Sequence, residues 1–154
     1  MTKIYFAAPL FNEAEKAYNL QLARVLEEAG YFVFLPQRDG YEAPKMPGMT
    51  EEEKAVKIFA ADIAAIDESD VLFMVLDGRV PDEGACVELG YAFAKGKRCY
   101  GIRSDVRAAE RGLELNPMLT GCFKAIIDCR NQPSISALTT FLSQNKLFDK
   151  EKNL

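Results

Sequence analysis

The sequence predicts a doubly wound α/β fold, a five-stranded parallel sheet with helices on both faces, and three observations carry that expectation. The run Val71 to Leu76 (VLFMVL) is continuously apolar and stops abruptly at Asp77-Gly78, the pattern of a central parallel strand covered on both sides. Short β-rich runs alternate along the chain with segments of helical periodicity, which favours a parallel sheet over an antiparallel one. A length of 154 residues suits a single domain, 1–154, able to bury roughly 70% of its unfolded-chain surface.

The elements follow in order. Lys3 to Ala8 is the first strand, ended by Pro9. Asn12 with Glu15 three residues on has the form of a capping box. Behind it Ala14, Tyr18, Leu22, Val25 and Ala29 keep a helical spacing, and Gly30 closes the helix. Tyr31 to Leu35 is the second strand, stopped by Pro36. Gln37 to Met49, with its Pro and Gly residues, is a long loop and a candidate lid. Thr50 and Glu53 make a second capping box, and Val56, Phe59, Ile63 and Ile66 mark the buried face of the next helix. After the strand Val71 to Leu76 a polar loop leads into a helix from Glu83 to Lys95 that is apolar on nearly every side, hence mostly buried. Lys97 to Ile102 is the fourth strand. Val106 to Leu115 is helical or irregular and is broken by Asn116-Pro117. Lys124 to Asp128 is the fifth strand, Ser134 to Gln144 the last helix, and the charged tail 149–154 is expected to fray.

Composition excludes several kinds of chemistry. A net charge of −4 without a long Lys/Arg cluster argues against a nucleic-acid partner. The opening MTKIYFAAPLF lacks the basic and apolar regions of an export signal, and no apolar run reaches the ~18 residues of a membrane span. A cytoplasmic location is therefore expected. The four cysteines show no C-x-x-C spacing and fit structural thiols in a reducing compartment. There is no histidine, which removes Ser-His-Asp and Cys-His sites and most zinc sites. Proton transfer near neutral pH is left to Asp, Glu, Tyr, Cys or Lys.

Attention then falls on carboxylates near the carboxyl ends of strands, where open α/β sheets bind ligands. Glu88 is the lone carboxylate on its apolar helix; either it pairs with Lys95 or Arg98, or it is functional. Asp62 lies inside the apolar arc of its helix, a costly place for an unpaired charge. It is either a helix-to-loop hydrogen-bonding group or part of a site. Asp82, after Pro81, is a helix N-cap or a reacting group, and the two roles conflict, because a carboxylate held by backbone N–H groups is a poor proton donor. Asp77 before Gly78 is a turn residue or a substrate contact. Tyr5 is a core tyrosine by default, and Gln37 and Asn116 are ordinary loop polar residues if read alone. With no histidine, this set of carboxylates at one sheet edge suggests glycosyl transfer, one attacking an anomeric carbon and another managing the leaving group's proton.

At these residues the chain resembles the nucleoside 2-deoxyribosyltransferase family over roughly Lys3 to Met118. The opening KIYFAAPLFN is similar to the family's first strand and loop. Asp62-x3-Ile66-x3-Asp70, then Asp82-x-Gly84-x3-Glu88-Leu89-Gly90-Tyr91-Ala92, and finally Asn116-Pro117-Met118-Leu119 follow its pattern in order and spacing. The resemblance implies a flavodoxin-like sheet and transfer of 2-deoxyribose between nucleobases in nucleoside salvage, through a covalent deoxyribosyl ester on Glu88. By it, Asp62 and Asp82 bind the base and handle its proton, and Tyr5 orients Glu88. Asn116 contacts the sugar 5′-hydroxyl in a neighbouring subunit's site, so a homo-oligomer is implied, dimer-based and possibly hexameric. Gln37 is a looser substrate contact, and Gly84 and Met118 join Asp77 as further candidates. The polar end Lys152-Asn153-Leu154 departs from members that place an aromatic C-terminus in the site.

The partners implied are 2′-deoxynucleosides and free bases, with no cofactor, metal or membrane. Two alternatives remain at this point. One is an N-glycosidase that hydrolyses 2-deoxynucleoside 5′-monophosphates, disfavoured by the acidic first loop AAPLFNEAE. The other is a nucleoside-binding module, for which three ionisable carboxylates in apolar surroundings are hard to explain.

Overall fold

The computed structural model describes residues 1–107 and 112–148. Its centre is a five-stranded sheet in the order β2-β1-β3-β4-β5, parallel throughout. The strands are β1 (Lys3–Ala7), β2 (Phe32–Phe34), β3 (Val71–Val75), β4 (Arg98–Arg103) and β5 (Ala125–Asp128). Six helices accompany them: α1 (Glu13–Glu28), α2 (Pro36–Asp39), α3 (Glu51–Glu68), α4 (Glu83–Ala94), α5 (Pro117–Thr120) and α6 (Ser134–Gln144). This is the doubly wound parallel sheet that the alternation of elements predicts, in the flavodoxin-like order that the resemblance implies.

Side-chain alternation along the strands splits the core into two layers. Ile4, Phe6, Val71, Phe73, Val75 and Ile102 face α1 and α6. Tyr5, Ala7, Leu72, Met74, Leu76 and Cys99 face the other way, where they meet Ile66 of α3 and Ala85, Leu89 and Ala92 of α4. β3 is buried at every residue, as its unbroken apolar run requires. The chain leaves β1 in one direction to reach β2 and then crosses back over β1 to reach β3. The switch point of the winding therefore lies between β1 and β3, where Tyr5 pairs with Leu72.

The helix starts predicted from capping patterns form. The Asn12 side chain accepts from Glu15 N at 2.9 Å, while the Glu15 carboxylate takes the N–H of Phe11 rather than that of Asn12. Thr50 and Glu53 close a complete capping box, with bonds of 3.2 and 2.8 Å. Gly30 follows α1 with φ 92°, a left-handed conformation that glycine adopts without a Cβ penalty. The segment expected to be one long loop after β2 instead carries α2 and a short 3₁₀ turn, Ala43–Lys45, with Met46 buried beneath it. Residues 108–111, within the segment Val106 to Leu115, and the tail 149–154 lie outside the described residues.

Two burial expectations need correction. Val56 and Phe59 are 64% and 63% exposed, so the N-terminal half of α3 does not bury its apolar stripe against this chain. α4 is not mostly buried either: Ala85, Leu89 and Ala92 are covered, but Val87 and Phe93 are 65% and 52% exposed. An apolar period reports which face is apolar, and the sheet has room to cover only one side of each helix. Among the described residues, no helix is long and apolar enough to cross a membrane. The four cysteines are free thiols.

The packing yields a first prediction. Phe73 is fully buried beside Phe6, ring centroids 5.6 Å apart, so Phe73→Ala should cost about 3–5 kcal/mol in urea unfolding. Thr50→Ala, which opens only an exposed cap, should cost about 1 kcal/mol by the same measurement.

Candidate functional site

Three side chains from three elements meet beside the switch point. Tyr5 comes from the middle of β1 and points to the α3–α4 layer. Its ring is fully buried and stacks on Phe34 at 5.7 Å, while its hydroxyl donates to Glu88 Oε1 at 2.9 Å. Glu88 sits on the second turn of α4, and Asp62 of α3 lines the same cleft and interacts with the same tyrosine. Both carboxylates line a cleft of about 520 Å³ between the two helices, whose walls are otherwise Ile58, Phe59, Ile63, Ile66, Val87 and Gly84 with Ala55.

The ion pairs that would make Glu88 a structural residue do not form. Lys95 binds Asp67 at 3.1 Å, and the guanidinium of Arg98 lies over the Phe148 ring at 5.1 Å. Among the described residues Glu88 has no basic partner. Burial therefore pushes its carboxyl up to about 8, with the charges of Asp62 and Asp82 adding to the rise and the Tyr5 hydrogen bond opposing it. Asp62 is raised for the same first reason, desolvation, again opposed by Tyr5. The phenol of Tyr5 is pushed far above its ordinary value by burial and by these two carboxylates, so it acts only as a hydrogen-bond donor.

Asp82 occupies the N-cap of α4, and its Oδ2 accepts from Ala85 N at 2.9 Å. Gly84 follows in the first turn, where a Cβ would lie 3.2 Å from that same oxygen. Glycine thus keeps both the cap and the cleft mouth clear.

Other candidates fall elsewhere. Gln37 has both ends of its amide engaged, accepting from Asn19 Nδ2 at 2.9 Å and donating to the Lys16 carbonyl at 2.9 Å. The Asp77 carboxylate accepts from the backbone of Ser104 and Asp105 and from the Ser104 hydroxyl. Asn116 caps α5, accepting from Met118 N at 2.9 Å, and Met118 is 80% exposed. These two line a separate hollow with Val80, Pro81 and Cys86. At 100° per residue Cys86 lies on the flank of α4 opposite Gly84 and Glu88. Within one chain, then, Asn116 is not brought to Glu88. Sequence reasoning assigned Phe59 to the core and did not single out Ile58 or Val87. Their placement as cleft walls depends on how far apart α3 and α4 stand, which no local pattern encodes.

The raised carboxyl has a thermodynamic consequence. The folded value of Glu88, about 8, exceeds its ordinary 4.5, so the fold favours the protonated form. The stability this contributes is full below about pH 4.5 and is lost as pH climbs to about 8. Gln mimics the protonated state. Glu88→Gln should accordingly gain stability over the unmutated protein progressively across that interval, read as a Tm difference that widens and then levels off. A difference independent of pH would contradict the assignment.

Comparison with known proteins sets this geometry in context. The family model for nucleoside 2-deoxyribosyltransferase matches residues 4–118. No functionally curated protein matches the sequence significantly. Among solved structures, a conserved protein of Enterococcus faecalis is 27% identical, with 94% of this chain and 98% of that one covered at a TM-score of 0.72. A 2-deoxyribosyltransferase of Bacillus psychrosaccharolyticus is 22% identical over 98% of this chain and 95% of its own, also at 0.72. A CMP N-glycosidase of Clostridium botulinum is 20% identical over 93% and 98%, at 0.60. The latter two likenesses speak to the fold. The family match spans the strands and helices that build the cleft, including Tyr5, Asp62, Asp82 and Glu88, and on it the chain belongs to the nucleoside 2-deoxyribosyltransferase family.

Proposed function

We propose that this protein transfers 2-deoxyribose from a 2′-deoxynucleoside to a free nucleobase. The observation that carries the reading is the Tyr5–Glu88 hydrogen bond at the floor of an apolar cleft that a second carboxylate, Asp62, shares. Glu88, ionised, attacks C1′ as the glycosidic bond breaks, through an oxocarbenium-like transition state, and becomes a deoxyribosyl ester. The Tyr5 hydroxyl holds one carboxylate oxygen and leaves the other for the sugar. The missing 2′-hydroxyl makes the cation less costly to form, a reason to expect deoxynucleosides. The leaving base departs with a proton from the enzyme, and the incoming base returns one as it displaces Glu88, so a single group works in both directions. Asp62, in the apolar wall and raised by desolvation, suits that proton; Asp82, with one oxygen on the Ala85 amide, suits base binding.

A second copy of the chain completes the site in this reading. Asn116 and Met118 lie away from the chain's own Glu88, and Phe59 and Val87 leave exposed apolar walls on the cleft. Mixing Asn116→Ala with Glu88→Ala subunits should restore part of the activity, because hybrid sites recover one intact set. No recovery after verified subunit exchange counts against a shared site.

The activity itself is tested by incubating 2′-deoxyinosine with adenine. Appearance of 2′-deoxyadenosine supports transfer; release of free deoxyribose alone supports hydrolysis instead. A 2-fluoro-2-deoxy-arabino nucleoside should add its sugar mass to the peptide that contains Glu88, and Glu88→Ala should lose at least about 10³-fold in kcat. Because Glu88 must be ionised to attack, kcat/KM should rise with pH toward about 8, the value to which burial pushes its carboxyl. Near-normal transfer by Glu88→Ala would falsify the mechanism.

A further inference from the structure

The loops leaving β3 and β4 are locked to each other by two carboxylates. Asp77 Oδ1 accepts from Ser104 N at 2.6 Å and from Asp105 N at 3.0 Å, and Asp77 Oδ2 takes the Ser104 hydroxyl proton. Asp105 reciprocates, accepting from Gly78 N at 3.2 Å while Arg107 pairs with it. Gly78 turns there with φ 118°, and a Cβ at this position would come within 2.9 Å of Val80 O. Only three residues then separate Gly78 from Asp82, and one of them, Pro81, is buried with its φ fixed by the ring. Asp82 caps α4, and Glu88 lies on the next turn of a rigid helix.

Asp77 does not face the cleft. Strand alternation places it on the side of Val75, in the layer of α1 and α6, and Tyr18 of α1, which donates to Ser134 Oγ at 2.8 Å, adjoins it. Glu88 and Tyr5 belong to the opposite layer. With its oxygens occupied and its layer opposite, Asp77 is built to hold a loop.

We propose that Asp77 is a positioning residue: with Ser104 and Asp105 it fixes the turn at Gly78, and through it the seating of Asp82 and Glu88 against Tyr5 and Asp62. This rests on the reading above, in which Glu88 and Asp82 work on the substrate. Release of the turn lets the start of α4 drift. A displacement near 1 Å at a reacting group costs on the order of 10²-fold in rate.

The test compares Asp77→Ala, Asp77→Asn, Ser104→Ala, Ser104→Thr and the double alanine variant. Asn keeps an oxygen for the two amides and offers an N–H to the Ser104 hydroxyl, and Thr keeps the hydroxyl. Asp77→Ala and Ser104→Ala should each lower kcat, by about 10- to 100-fold for Asp77→Ala, with KM little changed. The Asn and Thr variants should stay near the unmutated protein, and the double variant should fall no further than Asp77→Ala, because both lesions open one clasp. Hydrogen exchange at Ala85 and Cys86 should quicken in the alanine variants and not in Asp77→Asn. Should Asp77→Ala fail to fold, Ser104→Ala, which deletes one hydroxyl, carries the comparison.

Equal damage from Asp77→Asn and Asp77→Ala beside a silent Ser104→Ala overturns the proposal, because the charge would then act on the substrate. Unchanged kcat and unchanged exchange in the alanine variants overturn it as well. If the unmutated protein neither transfers nor hydrolyses, the functional reading fails, and the exchange rates still decide whether the clasp seats α4.

Discussion

The hydrogen bond from the Tyr5 hydroxyl to Glu88 is the interaction on which the rest of the site depends. It joins strand β1 to the second turn of α4, through residues 83 apart in sequence. A carboxylate in an apolar wall without a basic partner is costly, because nothing replaces the water it loses. Protonation at the raised value, a single phenol donor and the cleft's opening to solvent are what the fold supplies in place of an ion pair. Each of these conditions also serves the chemistry proposed, since a carboxylate that is reluctant to ionise is a better nucleophile once ionised.

That bond in turn constrains the fold around it. Tyr5 must stand at the switch point of the sheet, where α3 and α4 diverge from successive crossovers and leave a gap. α4 must start at one place, and the structure fixes that start several times over. The Asp82 side chain caps it, Gly84 gives the cap room, and buried Pro81 stiffens the approach. The cost of this arrangement appears on the surface. Phe59 of α3 and Val87 of α4 wall the cleft and stay exposed, and Val56 and Phe93, which do not line it, are likewise uncovered by the described part of the chain.

The sequence by itself determined the sheet and most of the helix boundaries, because those signals are local. An unbroken apolar run such as Val71 to Leu76 fixes a buried strand, and Thr50 with Glu53 fixes a helix start, whatever lies elsewhere in the chain. It also marked Glu88 and Asp62 as anomalies, since a carboxylate in an apolar stripe is visible in the helical period alone. Tertiary structure alone decided which groups meet. That Lys95 turns to Asp67 and leaves Glu88 without a cation among the described residues, and that Gln37 spends its amide on α1, are matters of distance between elements, as is the Tyr5–Glu88 contact that the family resemblance implies. Phe59 shows the same limit from the other side. Its period says that it lies on the apolar face of α3; only the spacing of α3 from α4 makes that face a cleft wall instead of core. Periodicity records how each element is built, and the separation of two elements depends on every side chain packed between them.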